Sequence, residues 1–574
     1  MARGSLTKCV VGLLTLQSAL GSPVAGNKPP VLAEGKLGAV ASGNEICSHI
    51  GTDLLKIGGN AADAMVGTVV CMGVIGMYHS GIGGGGFMLV RAPNGTYEFI
   101  DFRETAPAAA YEDMFKNNVN ASITGGLASG VPGELRGLQY LHEHYGALPW
   151  AKVLAPAVKV ARDGWKVNED LVRYMASATA TAGSNFLVDD KQFAIDFAPN
   201  GQLLKLGETI TRKRFADTLE TVANKGPDAF YKGPIAEATI RALQASNGTM
   251  TLQDLADYKV AIRKPSTINY RNYKLTACGA PSGGDVALST LKFMEGYSNV
   301  GDPSNINLTT HRLDESMKFA YALRAELGDP FFVKGMDKYQ EQIHSEATAK
   351  EIRSKIYDNK TFEVSYYNPL GLESLETPGT AHVVSADASG MAITLTTTVN
   401  LLFGSRFVVP ETGVIMNCQM NDFSIPGQSN SFGFIPSAAN FIRPGKRPLS
   451  SISPVIVEHL NSTLADAFYV AIGAAGGSRI ITATVQNLIN ILDGNMTTAE
   501  ALAAPRMHDQ LVPAQVSFEY GFDNGTTAFL KNLGANVTWS APTGSSAQGL
   551  RRLANGTFEA AGEPRQKNSG GVAV

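Results

Sequence analysis

The chain has 574 residues, 44% hydrophobic and 17% charged, with 48 basic and 51 acidic side chains and a formal charge of −3. That composition belongs to a folded protein with a large core and excludes an intrinsically disordered chain. The near-neutral balance, with a pI near 6.3, lacks the basic footprint of a nucleic-acid binder.

Residues 1–21 read as a secretory signal peptide. Arg3 and Lys8 precede an apolar run over 9–21, and Ala19 and Gly21 form a small-x-small cleavage site before Ser22. The run is too short, and too interrupted by Thr15, Gln17 and Ser18, to span a bilayer well. Secretion is therefore expected, with a vacuole-like compartment or membrane retention by an uncut leader as the alternatives. Ten Asn-x-Ser/Thr sequons follow, at Asn94, Asn120, Asn247, Asn307, Asn359, Asn461, Asn495, Asn524, Asn536 and Asn555. Chance would give about 4.5 for 33 Asn and 78 Ser plus Thr, so the excess supports the secretory route. Roughly five to eight are expected to carry glycan, the others being unused or buried. Beyond the leader, Cys47, Cys71, Cys278 and Cys418 are too few for a disulfide scaffold. Three pairings are formally open. A Cys47–Cys71 bridge is the one expected, because both fall in one helical region.

That region, 45–77, reads as two helices broken by Gly58 and Gly59, with Asn60 capping the second. The glycine run 81–86 lacks Gly-Lys-Ser/Thr and leads into a strand, so it is not a phosphate loop. A strand pair turns around 92–95. His142 and His144 lie on a polar helix and are not expected to hold metal. A helix is expected over 309–327, with Leu313, Met317, Ala320 and Leu327 on one face and Gly328 and Pro330 as its stop. Residues 380–387 and 391–400 read as strands joined by a hairpin at 388–390. The Pro-, Gly-, Ser- and Asn-rich stretch 424–448 reads as a long functional loop. Strands and helices mix without strict βαβ alternation, so the fold class is α+β or layered α/β/α. No Gly-x-Ser-x-Gly elbow is present, which removes the anchor for an α/β-hydrolase.

Thr380 follows a Pro378-Gly379 turn and opens a strand. A threonine there can be a nucleophile if its own amine is free, since an α-amine of pKa about 7.7–8.0 can take the hydroxyl proton. That requires cleavage between Gly379 and Thr380. Alone, a strand-opening threonine is a weak signal.

Its neighbours strengthen it. The relevant segments are Asp-Phe-Arg-Glu-Thr-Ala-Pro at 101–107, Thr380-Ala-His, Thr398-Val-Asn400, Phe403-Gly-Ser405, Gln419-Met-Asn-Asp422-Phe-Ser424, Pro448-Leu-Ser-Ser451 and Gly473-Ala-Ala-Gly-Gly477. In order and spacing, the chain over about 35–574 resembles the γ-glutamyltransferase family of the N-terminal-nucleophile hydrolases. The resemblance implies an α+β four-layer αββα sandwich. It implies a precursor that cuts itself into a large subunit, 22–379, and a small one, 380–574, which stay together as a heterodimer forming one catalytic domain. It implies that Thr380 attacks the γ-carbonyl of glutathione or its S-conjugates, with the Thr380 amine as base. Water, an amino acid or a dipeptide then accepts the γ-glutamyl group. Gly476 and Gly477 are the implied oxyanion donors. Arg103, with Ser450 and Ser451, is implied to hold the substrate α-carboxylate. Asp422, with Gln419 and Asn400, is implied to hold the α-ammonium, and Thr398 to orient Thr380. No metal or organic cofactor is implied. The competing reading of Arg103 is an ion pair with Asp101 or Glu104.

Two departures stand out: Gln419 occupies a position that is acidic in some members, and Asn421 replaces an aspartate found in many. Phe432 and Phe434 are candidate covers in the lid region. Two other functions remain: an amide acylase of the same superfamily acting on glutaryl or β-lactam side chains, and an uncleaved secreted binding protein without turnover.

Overall fold

In the computed structural model, which describes residues 32–372, 379–427, 435–463 and 467–574, the hairpin expected around Ser389 lies at the centre of the molecule. Strands Ala381–Asp387 and Ala392–Thr398 pair antiparallel, with Val384 opposite Thr394. Successive side chains take opposite faces. Val383 and Leu395 enter a helix-covered core, whereas Val384, Ala386 and Ala392 enter a core between two sheets.

The hairpin's sheet has seven strands, in the order Gly570–Ala573, Gly38–Ser42, Ala381–Asp387, Ala392–Thr398, Gly85–Arg91, Tyr97–Asp101 and Ala261–Arg263. The second sheet also has seven, in the order Leu32–Gly35, Phe558–Ala561, Ser546–Arg552, Phe468–Ala475, Val455–His459, Tyr273–Ala277 and Ser266–Tyr270. Small residues such as Ala39, Ala41, Ala386, Ala471, Ala474 and Ala560 line the space between them and let the sheets stack closely. Helices Glu45–Lys56 and Ala61–Ile75 cover the outer face of the first sheet. Helices Gly284–Glu295 and Arg479–Leu492 cover the second, and Ile306–Arg324 packs on the former. The result is the expected four-layer αββα sandwich.

Helix Ala61–Ile75 is buried along its whole length, which suits a sequence apolar on every side. Asn60 caps it by accepting from the N–H groups of Ala62 and Asp63, and the Asp63 carboxylate accepts from the N–H of Asn60. A Cys47–Cys71 disulfide ties this helix to Glu45–Lys56, while Cys278 and Cys418 are buried thiols.

Some boundaries move. The helix expected over 309–327 runs from Ile306 to Arg324 and gives way to tighter i→i+3 turns through Leu327. The strands expected over 380–387 and 391–400 are shorter at the active end, because Thr380 and Asn400 have positive φ. The described part of 424–448 contains no strand and one short 3-10 turn, Ala438–Asn440. His142 and His144 both meet backbone carbonyls, of Leu148 at 2.7 Å and Tyr140 at 2.9 Å. No sequon asparagine is buried: nine are exposed, and half-buried Asn307 accepts a hydrogen bond from Thr526 Oγ1. Among the described residues, no helix is long and apolar enough to cross a membrane. The leader 1–21 and the lid candidates Phe432 and Phe434 lie outside the described residues.

Candidate active site

The register that pairs Ala381 with Thr397 sets Thr380 beside Thr398. The Thr380 hydroxyl donates to Thr398 Oγ1 at 3.3 Å, and the same oxygen accepts the Asn400 N–H at 2.8 Å. Asn400 is fixed in turn by donating its Nδ2 to the Cys418 carbonyl at 2.9 Å. The chain enters Thr380 under strain. Gly379 has φ +127° and Thr380 φ +110°, a region that β-branched residues avoid. A Cβ on residue 379 would lie 1.6 Å from the Asn400 carbonyl oxygen, so only glycine fits there.

Arg103 follows the strand Tyr97–Asp101, and its N–H is held by Asp101 Oδ1 at 2.9 Å. Its side chain makes a short charge-assisted contact with Asp422 Oδ2, from a 3-10 turn Gln419–Asp422 that lies 319 residues away in sequence. Gln419 Nε2 donates to the same carboxylate oxygen at 2.6 Å. Thr380, Thr398, Asn400, Ser450, Ser451 and Gly477 supply the rest of the polar wall around this pair, with Ile452 and Ile480 as its apolar part. With the two ions in contact, only about 10 Å³ of space is left. The competing reading of Arg103 therefore holds only in part. Glu104 approaches it at 3.9 Å, whereas Asp101 is engaged by Arg263 and Arg447.

Several fully buried atoms of this cluster have no hydrogen-bond partner among the described residues. They are Arg103 Nε and Nη1 on the donor side, and Asp422 Oδ1, Gln419 Oε1 and both Glu104 oxygens on the acceptor side. Unmet groups of this kind are costly unless a ligand satisfies them. Burial raises the Asp422 carboxyl above its ordinary value, against the pull of Arg103 and the Gln419 hydrogen bond. Burial also pushes Glu104 up to about 8. Arg324, the last residue of helix Ile306–Arg324, is a member that sequence reasoning missed. Its Nη2 donates to Ser451 Oγ at 3.2 Å, and burial lowers its pKa. Nothing in its local sequence marks it, since it reaches the site only through packing of the long helix.

Strand Phe468–Ala475 is followed by Gly476 and Gly477, with φ +124° and +61°, and helix Arg479–Leu492 begins two residues later. A Cβ on Gly476 would lie 2.4 Å from the Gly544 carbonyl. The diglycine thus sits at a helix N-terminus, whose partial positive charge favours an anion. Gly477 lines the Arg103 pocket, Gly476 lines a second cavity of about 490 Å³, and Thr380 lines both. The structure therefore gathers all ten expected site residues around one hydroxyl.

A model of the gamma-glutamyltranspeptidase family matches residues 47–573. The chain belongs to that family. It is 54% identical to a glutathione hydrolase proenzyme of Arthroderma benhamiae over 95% of this chain and 94% of the relative. It is 51% identical to a glutathione hydrolase of Aspergillus flavus over 94% and 89%. Among solved structures, a cephalosporin acylase from Bacillus halodurans superposes with a TM-score of 0.83 at 26% identity, covering 98% of this chain and 99% of that one. The γ-glutamyltranspeptidase fold is that of the N-terminal-nucleophile hydrolases, and the expected family, fold and enzyme class all hold.

Proposed function

We propose that this γ-glutamyltranspeptidase family member is a self-processing glutathione hydrolase and γ-glutamyltransferase with Thr380 as its nucleophile. The observation that carries this reading is the division of the unmet polar atoms beside Thr380. Arg103 offers buried donors suited to an α-carboxylate, and Asp422 and Gln419 offer acceptors suited to an α-ammonium. A γ-glutamyl group has both, on the carbon farthest from its reacting carbonyl. To enter, it must replace the Arg103–Asp422 contact with one contact to each ion.

Processing comes first. The Thr380 hydroxyl attacks the Gly379 carbonyl, the Gly379–Thr380 C–N bond breaks, and water hydrolyses the resulting ester. The products are a large subunit ending at Gly379 and a small one beginning with a free Thr380 amine. Release of the positive-φ strain at Thr380 favours this cut. In catalysis the amine takes the Thr380 hydroxyl proton while Oγ attacks the γ-carbonyl. Gly476 and Gly477 N–H groups stabilise the oxyanion, a contribution of roughly 10²–10³ in rate per donor. The proton passes to the leaving nitrogen, the amide bond breaks, and a γ-glutamyl ester remains. Water or an amine then attacks that ester, giving glutamate or a new γ-glutamyl amide.

The leader, the exposed sequons and the Cys47–Cys71 bridge support a secretory route. The acylase likeness favours a second reading, in which the acyl group lacks the ammonium. The test is a denaturing gel with N-terminal sequencing, followed by turnover of γ-glutamyl and glutaryl p-nitroanilides. A small band beginning Thr-Ala-His-Val and a clear preference for the γ-glutamyl anilide are expected. An uncleaved chain inert to both anilides would sink the proposal, and a glutaryl preference would move it to the acylases.

A further inference from the structure

The 490 Å³ cavity on the Gly476 side of the nucleophile is unlike the Arg103 pocket. Arg173, Arg479 and Arg565 supply cations to its wall, and no Asp or Glu lines it. Two of these arginines are already committed. Arg565 binds Glu519 Oε2 at 2.5 Å and Glu563 Oε1 at 2.9 Å. Arg173 binds Asp170 Oδ1 at 3.0 Å and donates to the Arg565 carbonyl and the Tyr174 hydroxyl, although its buried Nε has no partner. Arg479 differs. It is half-buried and has no ion pair or side-chain hydrogen bond to any described residue. It is the first residue of helix Arg479–Leu492, so the helix's positive end adds to its charge. His79 contributes no further cation, because burial and Arg173 hold its pKa near 3.

A half-buried guanidinium without a counter-ion is a planar fork suited to a carboxylate. This cavity touches Thr380 and Gly476, so what it holds is the part of the donor beyond the scissile amide. We propose that Arg479, assisted by Arg173, binds the terminal carboxylate of the amino acid or peptide that leaves the γ-glutamyl group or accepts it. The proposal rests on the reading of Thr380 as nucleophile. It identifies the preferred leaving groups and acceptors as amino acids and peptides with a free carboxylate, and disfavours neutral amines.

The experiment compares kcat/KM of the processed enzyme for glutathione and for its C-terminal glycinamide, with γ-glutamyl-p-nitroanilide as a donor whose leaving group is neutral. A charge-assisted contact predicts that the parent prefers the acid over the amide by about 10- to 100-fold. Arg479→Gln is expected to reduce that preference to about threefold or less, Arg479→Lys to keep part of it, and Arg173→Gln to reduce it partially. A merely structural role for Arg479 would lower acid and amide together and leave their ratio unchanged, which would overturn the proposal. A parent that cleaves the anilide yet treats acid and amide alike would also overturn it, without reference to any variant. A parent that cleaves none of the three donors would instead overturn the nucleophile reading on which it rests.

Discussion

Replacing Asp422 by Asn separates the charge of this residue from its shape. Both donors that reach the Asp422 side chain, Arg103 Nη2 and Gln419 Nε2, converge on Oδ2. An asparagine whose Oδ1 takes that place keeps both hydrogen bonds and keeps the pocket folded. Its Nδ2 then occupies the position of Oδ1, the oxygen without a partner among the described residues. In the proposed function that atom is the one offered to a substrate ammonium, and the substitution turns an anionic acceptor into a donor facing a cation. The lost charge-assisted hydrogen bond is worth about 1.5–3 kcal/mol, a factor of roughly 10–150 in kcat/KM for γ-glutamyl-p-nitroanilide. Glutaryl-p-nitroanilide has the carboxylate and lacks the ammonium, so its kcat/KM is expected to change by less than about threefold. The assay is kcat/KM for both anilides on parent and variant, with thermal melting to check that the fold is intact. Equal losses on the two substrates would mean that Asp422 only holds Arg103 in place, and the ammonium role would be wrong.

Thr380→Ala is expected to yield one uncleaved, inactive chain on a denaturing gel, and cleavage at the normal site in that variant would remove Thr380 as the processing nucleophile. Gly379→Ala puts a methyl group against the Asn400 carbonyl at 1.6 Å and is expected to slow processing at least about tenfold in a time course of band splitting; normal processing would refute the close approach. Arg103→Lys keeps the charge but loses the fork, so KM for γ-glutamyl donors should rise about 10-fold or more, and unchanged kinetics would refute the carboxylate role. The Glu104 carboxyl, raised by burial from 4.5 to about 8, is neutral in the folded site near pH 7. A folded pKa above the free value stabilises the protein below about pH 4.5, and that stabilisation is lost as pH rises through about 8. In the site, ionised Glu104 competes for Arg103 above about pH 8, so KM should rise there, and Glu104→Gln should flatten the rise. A rise that persists in Glu104→Gln would assign it to another group.

The parts of this site written in contiguous sequence are legible in the sequence alone. The hairpin at Ser389 has a period-2 pattern on both sides of a turn, and the Asn60 cap, the Gly476–Gly477 pair and the strand-opening Thr380 are local features. What depends on long-range assembly was not legible. The direct pairing of Arg103 with Asp422 joins segments 319 residues apart. Arg324 arrives on a helix whose own pattern speaks only of core packing. Arg479 stands next to a recognised motif, yet its lack of a counter-ion is a property of the space around it. The positive φ of Thr380 belongs to the point where the chain passes the Asn400 carbonyl and enters an interior strand, a setting that no local pattern shows. The strand orders were equally hidden, since they bring the C-terminal Gly570–Ala573 beside Gly38–Ser42.

Those strand orders have a consequence for maturation. Ala381–Asp387, at the start of the proposed small subunit, is hydrogen-bonded on one side to Gly38–Ser42 from the proposed large subunit and on the other to Ala392–Thr398. The second sheet is interleaved in the same way, with Val455–His459 between Tyr273–Ala277 and Phe468–Ala475. Neither side of the Gly379–Thr380 junction supplies all the strands of either seven-stranded sheet, so the two sheets form only from both together. On the proposed processing, the bond before Thr380 is cut in a chain whose sheets are already assembled, because assembly is what brings Thr398, Asn400 and the strained Thr380 together. On that proposal, hydrolytic power is switched on one copy at a time, as each copy finishes folding.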